Sequence, residues 1–119
     1  MDRFFDVKIE CLEANKVSVR FYSSTKVDLW ISQVRAVRCS EKADIGPITG
    51  YYIAHLDNNY KIETFGPFLK DYSEYSYLNF VVADKTHKTQ FHVILPIDGG
   101  EAEYKQEHFW GPIGNRDKS

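Results

Sequence analysis

Apolar and polar residues alternate at period two through much of this sequence, and that rhythm limits what the chain can fold into. Phe5, Val7, Ile9 and Cys11 share one parity, while Asp6, Lys8 and Glu10 take the other. The pattern returns at Val17, Val19 and Phe21, set against Ser18, Arg20 and Tyr22. Successive side chains of a strand point to opposite faces, so each run reads as a strand with one buried and one wetted face. Glu13, Ala14, Asn15 and Lys16 lie between the two runs and can turn the chain, which makes the pair a hairpin.

Further along, the pattern is harder to read. Thr25 and Asp28 have the spacing of a capping box, and Val27, Trp30, Ile31, Val34 and Val37 fit one helical face, so a short helix within 25–38 competes with strands. The β-branched content of this stretch, with no Gly before Gly46, favours two short strands joined by a tight turn near Ser32 and Gln33. Residues 40–50, SEKADIGPITG, read as a loop. Tyr51 to Leu56 and Tyr60 to Phe65 read as a second hairpin, because Asp57, Asn58 and Asn59 tolerate the left-handed backbone that a tight turn needs.

Gly66-Pro67 breaks the ladder, and 68–75 is expected to be irregular or a single helical turn. Tyr77 to Ala83 and Thr89 to Leu95 form a third hairpin around the polar turn 84–88, ended by Pro96. Residues 104–110 follow as a last edge strand or a loosely packed segment, and 111–119 as a frayed tail.

With 119 residues and no low-complexity linker, the chain supports one core and one domain. The expected class is all-β, or β-rich α+β: an antiparallel sandwich or small barrel of about seven or eight short strands. An aromatic share of 15% suits strands, whose pleated surface accommodates flat rings.

Net charge and hydropathy narrow the partners. A formal charge of −2 and a pI near 6.1 lack the basic face that binds nucleic acid, and there is no polybasic run for anionic lipid. The first residues, MDRFFDVKIE, intersperse charges with apolar positions, and no apolar run is long enough to span a bilayer; a cytoplasmic location is expected. The two cysteines, Cys11 and Cys39, fall in apolar strand-like contexts and are expected to be buried free thiols.

Signals for chemistry are sparse. His55 and Asp57 share a parity at a strand end, where a carboxylate can orient an imidazole for acid and base work, but Asp57 also suits a turn. His87, His92 and His108 lack the paired spacing of zinc ligands, and His92 falls on the solvent parity, so no metal is expected. Glycine-rich phosphate loops and the G-x-S-x-G nucleophile elbow are both missing from the sequence, and no cofactor is expected.

What remains is suited to contact. Tyr72, Tyr75 and Tyr77 interleave with Asp71, Ser73, Glu74 and Ser76, and tyrosine gives large contact area at low entropic cost. Asp98, Glu101, Glu103 and Glu107 face only Lys105, an acidic stretch able to steer a basic partner. The expectation is a non-enzymatic protein-binding module, with Asp71, Tyr72, Glu74, Tyr75, Tyr77, Asp98, Glu101 and Glu103 meeting the partner. Within that class, a bacterial immunity protein that inhibits a basic toxin such as a nuclease fits best. A β-barrel holding a small ligand is the alternative, and a hydrolase using His55 and Asp57 a weaker one.

Overall fold

The computed structural model describes residues 3–38 and 52–109. Within them the chain forms six strands, β1 (Asp6–Glu13), β2 (Lys16–Val37), β3 (Tyr52–Phe65), β4 (Tyr77–Asp84), β5 (Thr89–Pro96) and β6 (Glu103–Glu107), with one 3-10 turn at Tyr72–Glu74. All pairings are antiparallel and belong to one sheet, which curls into a half-barrel. The all-β expectation holds; the helix within 25–38 does not form.

Strand number and length depart from expectation in an instructive way. The five short strands expected between Val17 and Phe65 are two long ones, β2 with 22 residues and β3 with 14. Drawn straight, β2 would reach about 70 Å, yet the largest extent of the molecule is 37 Å. It therefore has to bend.

The bends are β-bulges. Between Ser23 and Lys26 the β2–β3 register shifts by one residue, opposite Asn58, whose φ is 58°. The shift flips the parity of β3: Tyr52, Ala54 and Leu56 face inward before it, whereas Lys61, Glu63 and Phe65 share the inward side after it. A second shift between Ser32 and Arg35 surrounds Gln33, with φ 55°, and moves the inward set from Leu29 and Ile31 to Val34 and Ala36. One unpaired residue bends and twists a strand without ending it. Gln33 and Asn58 are thus left-handed where the sequence placed turns, but each is a corner inside a continuous strand, unlike Ala14 and Lys88, which are left-handed in turns between strands.

The β2–β3 ribbon folds so far at its corner that the two ends of β3 meet. The Tyr52 and Phe65 rings make an edge-to-face contact at 4.9 Å between centroids, and Lys61 Nζ donates to the Ile53 carbonyl at 2.8 Å. Inside the curl, Phe21, Phe65 and Phe80 pack against one another at 5.8–6.4 Å. Leu29, Ile31, Val34, Leu78, Val82, Phe91, Val93 and Leu95 complete a single core.

The third bulge corrects an expectation about Cys11. Ile9 pairs with Val19 but Cys11 pairs with Ser18, so Glu10 is the extra residue and Cys11 turns outward, leaving Leu12 to continue the buried side. Cys11 is a free, exposed thiol. Cys39, the loop 40–50, Tyr51, Trp110 and the tail 111–119 lie outside the described residues. No helix among the described residues is long and apolar enough to cross a membrane.

Two devices close the curl. At one seam Phe5 of the segment before β1 packs edge-on to Phe91 and Tyr104, while the Val7 N–H donates to the Tyr104 hydroxyl at 3.0 Å. Elsewhere, the β1–β2 turn docks on the chain after β3, where Phe68 N–H donates to Asn15 O and Asn15 Nδ2 donates to Phe68 O. This approach requires glycine at 66: its φ is 132°, and a Cβ there would sit 2.7 Å from Asn15 O.

Two outcomes follow from this arrangement. Replacing Phe21, fully buried, with Ala should cost about 3–5 kcal/mol in urea unfolding, whereas Cys11→Ser should stay within about 0.5 kcal/mol; equal losses would contradict the parity flip. Burial pushes the Tyr104 phenol above its ordinary range, against smaller opposing pulls from the Val7 hydrogen bond and Arg3. The folded state therefore favours the neutral phenol. Its contribution is present below about pH 10, the unfolded value, and is lost as pH rises toward the raised folded one. Tyr104→Phe should remove this alkaline decline, while costing about 1–3 kcal/mol at neutral pH through the unpaired Val7 amide.

Candidate functional site

The segments expected to meet a partner converge on one end of the half-barrel. Tyr77 of β4 pairs with Pro96 of β5, Ile97 N–H donates to Ser76 O at 2.9 Å, and Ser76 N–H donates to Val37 O at 2.8 Å. These bonds join the end of the 71–76 segment to the start of the 97–103 segment, while Tyr72 N–H donates to Ala14 O at 2.8 Å and ties the first segment to the β1–β2 turn. Asp71, Glu74, Asp98, Glu101 and Glu103 are all exposed there.

Local geometry gives the two aspartates a task of their own. Asp71 caps the 3-10 turn, its Oδ2 accepting from Ser73 Oγ at 2.7 Å and Ser73 N–H at 3.1 Å. These bonds favour the carboxylate and hold its pKa below the ordinary value, the side-chain bond contributing most. Asp98 Oδ1 accepts from Gly100 N–H at 2.9 Å and shapes the turn after β5. The glutamates carry the remaining charge of this end.

The tyrosines do not form the expected exposed cluster. Tyr75 is only 5% exposed; its ring lies edge-on to Phe68 and its hydroxyl accepts from Lys70 N–H at 3.1 Å. Tyr72 is half-buried against the core and Tyr77 half-buried within β4. The Tyr72 and Tyr75 rings anchor the segment from below, which is a structural task the alternating Tyr and acid pattern did not distinguish from a contact surface.

Exposed rings occur elsewhere, on the convex face of β2 and β3. Tyr22 and Tyr60, 40% and 54% exposed, are direct cross-strand partners, and Ile62, 41% exposed, lies opposite Arg20. The Arg20 guanidinium sits 4.7 Å from the Tyr60 ring centroid and is held by Glu10 Oε1, at 2.8 Å from Nη2 and 3.0 Å from Nε. A signal for Tyr22 was present in the sequence, since it falls on the polar parity of its strand. Tyr60 carried no such signal, because the flip at Asn58 reverses the faces of β3.

The histidines also pair differently from expectation. His55 Nδ1 lies 2.8 Å from Asp28 Oδ1, its cross-strand partner on β2, rather than on Asp57, and the His55 side chain is 75% exposed. A second pair escaped the sequence altogether. His87 Nδ1 is 2.7 Å from Asp84 Oδ2, with Asp84 fully buried, and Phe4 stacks on the His87 ring at 3.9 Å. Asp84 Oδ1 also accepts from Thr86 N–H at 3.0 Å, so this carboxylate organises the β4–β5 turn and docks the segment before β1 upon it. Among the described residues no group of three or more His, Cys, Asp and Glu is placed to hold a metal ion.

Compared with family models, with curated proteins and with solved structures, the chain matched none.

The Asp71 cap has a measurable consequence. A depressed folded pKa stabilises the fold above the ordinary carboxylate range and loses that contribution as pH falls through the depressed value. Asp71→Asn should therefore lessen the drop in thermal midpoint between about pH 6 and about pH 2, with no change in slope at alkaline pH.

Proposed function

We propose that the chain is a non-enzymatic protein-binding module of the cytoplasm, and that it acts as a bacterial immunity protein, occupying and inhibiting a basic toxin. The observation that carries this reading is the fastening of two acidic segments at one end of the half-barrel through Ser76 and Ile97. Carboxylates held on a rigid sheet end present a fixed negative field, and such a field raises encounter rates with a basic surface and disfavours acidic ones. A toxin that cleaves nucleic acid has the complementary charge. The aromatic rings of the interior are engaged in the core, with Phe21, Phe65, Phe80 and Phe91 fully buried, so the reading places recognition on the surface.

The partner-facing set differs in role from residue to residue. Glu74, Glu101 and Glu103 supply charge, Asp71 and Asp98 fix the loops that present it, Tyr72 and Tyr75 secure the 71–76 segment to the core, and Tyr77 opens the strand that follows it.

Co-expression with the product of the gene next to its own tests the reading. Growth should be rescued from that product's toxicity, and Glu74→Lys with Glu101→Lys should slow association by at least about tenfold at low salt, an effect that fades as salt rises. Lack of rescue, or binding indifferent to both charge reversal and salt, would overturn it.

A further inference from the structure

Among the described residues, no strand lies along one edge of β3. Among them β3 pairs only with β2, so along 59–65 the side turned away from β2 carries backbone groups that no described strand takes up. An open edge is a template for another strand. Here it also runs beside the most exposed apolar surface of the sheet, with Tyr60 54% and Ile62 41% exposed.

The order of side chains along this edge selects a second copy of the same chain. Take two copies of β3 related by a two-fold axis perpendicular to the sheet, the symmetry of an isologous dimer. With the axis at Ile62, Lys61 of each copy lies opposite Glu63 of the other, and Tyr60 lies opposite Thr64. Opposite charges directly across an antiparallel pair attract and like charges repel.

The neighbouring registers fail. An axis at Lys61 sets lysine against lysine, and an axis at Glu63 sets glutamate against glutamate. An axis at Tyr60 brings Ile62 against Asn58, where the left-handed backbone interrupts the ladder. An axis at Thr64 runs the pairing into Gly66 and Pro67, and proline has no amide to donate. One register therefore stands apart, and it is the one that buries Ile62 on its own symmetry mate.

We propose that the protein forms a homodimer through antiparallel pairing of β3 with β3 of a second copy, centred on Ile62. Lys61 and Glu63, already 3.2 Å apart within one chain, then form a ring of four alternating charges around the axis. The β1–β2–β3 half of the sheet becomes continuous across the two copies, and the stack of Arg20 on Tyr60 flanks the junction on its convex side. This interface is separate from the acidic end and stands whether or not that end binds a toxin.

Sedimentation equilibrium of the full chain, across about 1 to 100 µM, tests the proposal. A reversible dimer is expected. Lys61→Glu and Glu63→Lys should each weaken it at least about tenfold, and the charge swap carrying both should restore it; far-UV circular dichroism checks that each variant is folded. In a Cys11→Ser/Cys39→Ser background, Ile62→Cys should oxidise to a covalent dimer, whereas Thr64→Cys, whose two copies lie several residues apart, should not. A monomer throughout this range overturns the proposal. So does a dimer insensitive to Lys61→Glu, a double swap that fails to restore association, or equal cross-linking at 62 and 64.

Discussion

The fold depends on its longest strands being able to turn corners without losing their ladders. A 22-residue strand in a molecule 37 Å long cannot remain straight, and ending it would expose two more sets of unpaired backbone groups, each costly if buried. A single extra residue solves both difficulties, since the chain bends locally while pairing resumes on either side. Because β2 carries its partners with it, one bend near Ser23 and Asn58 moves whole arms of the sheet. The arm that pairs β1 with the first half of β2 comes to face the arm that carries β4, β5 and β6. The hydrophobic core is what lies between them.

Folding a sheet upon itself leaves seams, and side chains close them where the backbone does not. The Tyr104 hydroxyl takes up the Val7 amide on the outer side of β1, and Phe5 fills the space beneath. Across the corner of β3, the Lys61 ammonium reaches the Ile53 carbonyl. Asn15 and Phe68 exchange two hydrogen bonds where the first turn meets the chain after β3. Each contact joins segments distant in sequence, so each couples the curvature of the sheet to a few specific polar groups. Aromatic rings suit this work, because they bridge the width of a seam while still offering a polar atom at the tip.

Much of this was legible in the sequence, and what was not has a common cause. Period two identified β1, the first arm of β2, β4 and β5, and the residues tolerant of left-handed backbone were found at Asn58 and near Gln33. What the pattern could not tell is that a parity break has two physical origins: a turn that reverses the chain, and a bulge that inserts one residue and continues. Both ask for the same residue types, so Asp57 to Asn59 read as a hairpin and are a corner. The same ambiguity placed Cys11 inside, when an extra Glu10 sends it out. Exposure of tyrosines was misjudged for a related reason, since in 68–76 no regular period ties a residue's position to a face, and only packing against Phe68 shows that Tyr75 points inward. His87 and Asp84 escaped notice because their approach depends on how tightly the β4–β5 turn closes.

The same distinction between shaping and presenting explains why the acidic end contains both kinds of carboxylate. Aspartate is short enough for its oxygens to reach backbone amides two residues on, as Asp71 does at Ser73 and Asp98 at Gly100. Glutamate, one methylene longer, does this less well and leaves its charge extended into water. A surface built from both can fix its loops and project its field with separate residues, so a change in charge need not alter the shape that carries it. Replacing Glu74 or Glu101 would alter mainly the field, whereas replacing Asp71 or Asp98 would alter the loop first and the field second. The arrangement therefore ties the proposed recognition to the glutamates, and the rigidity on which recognition depends to the aspartates and to the buried tyrosines below them.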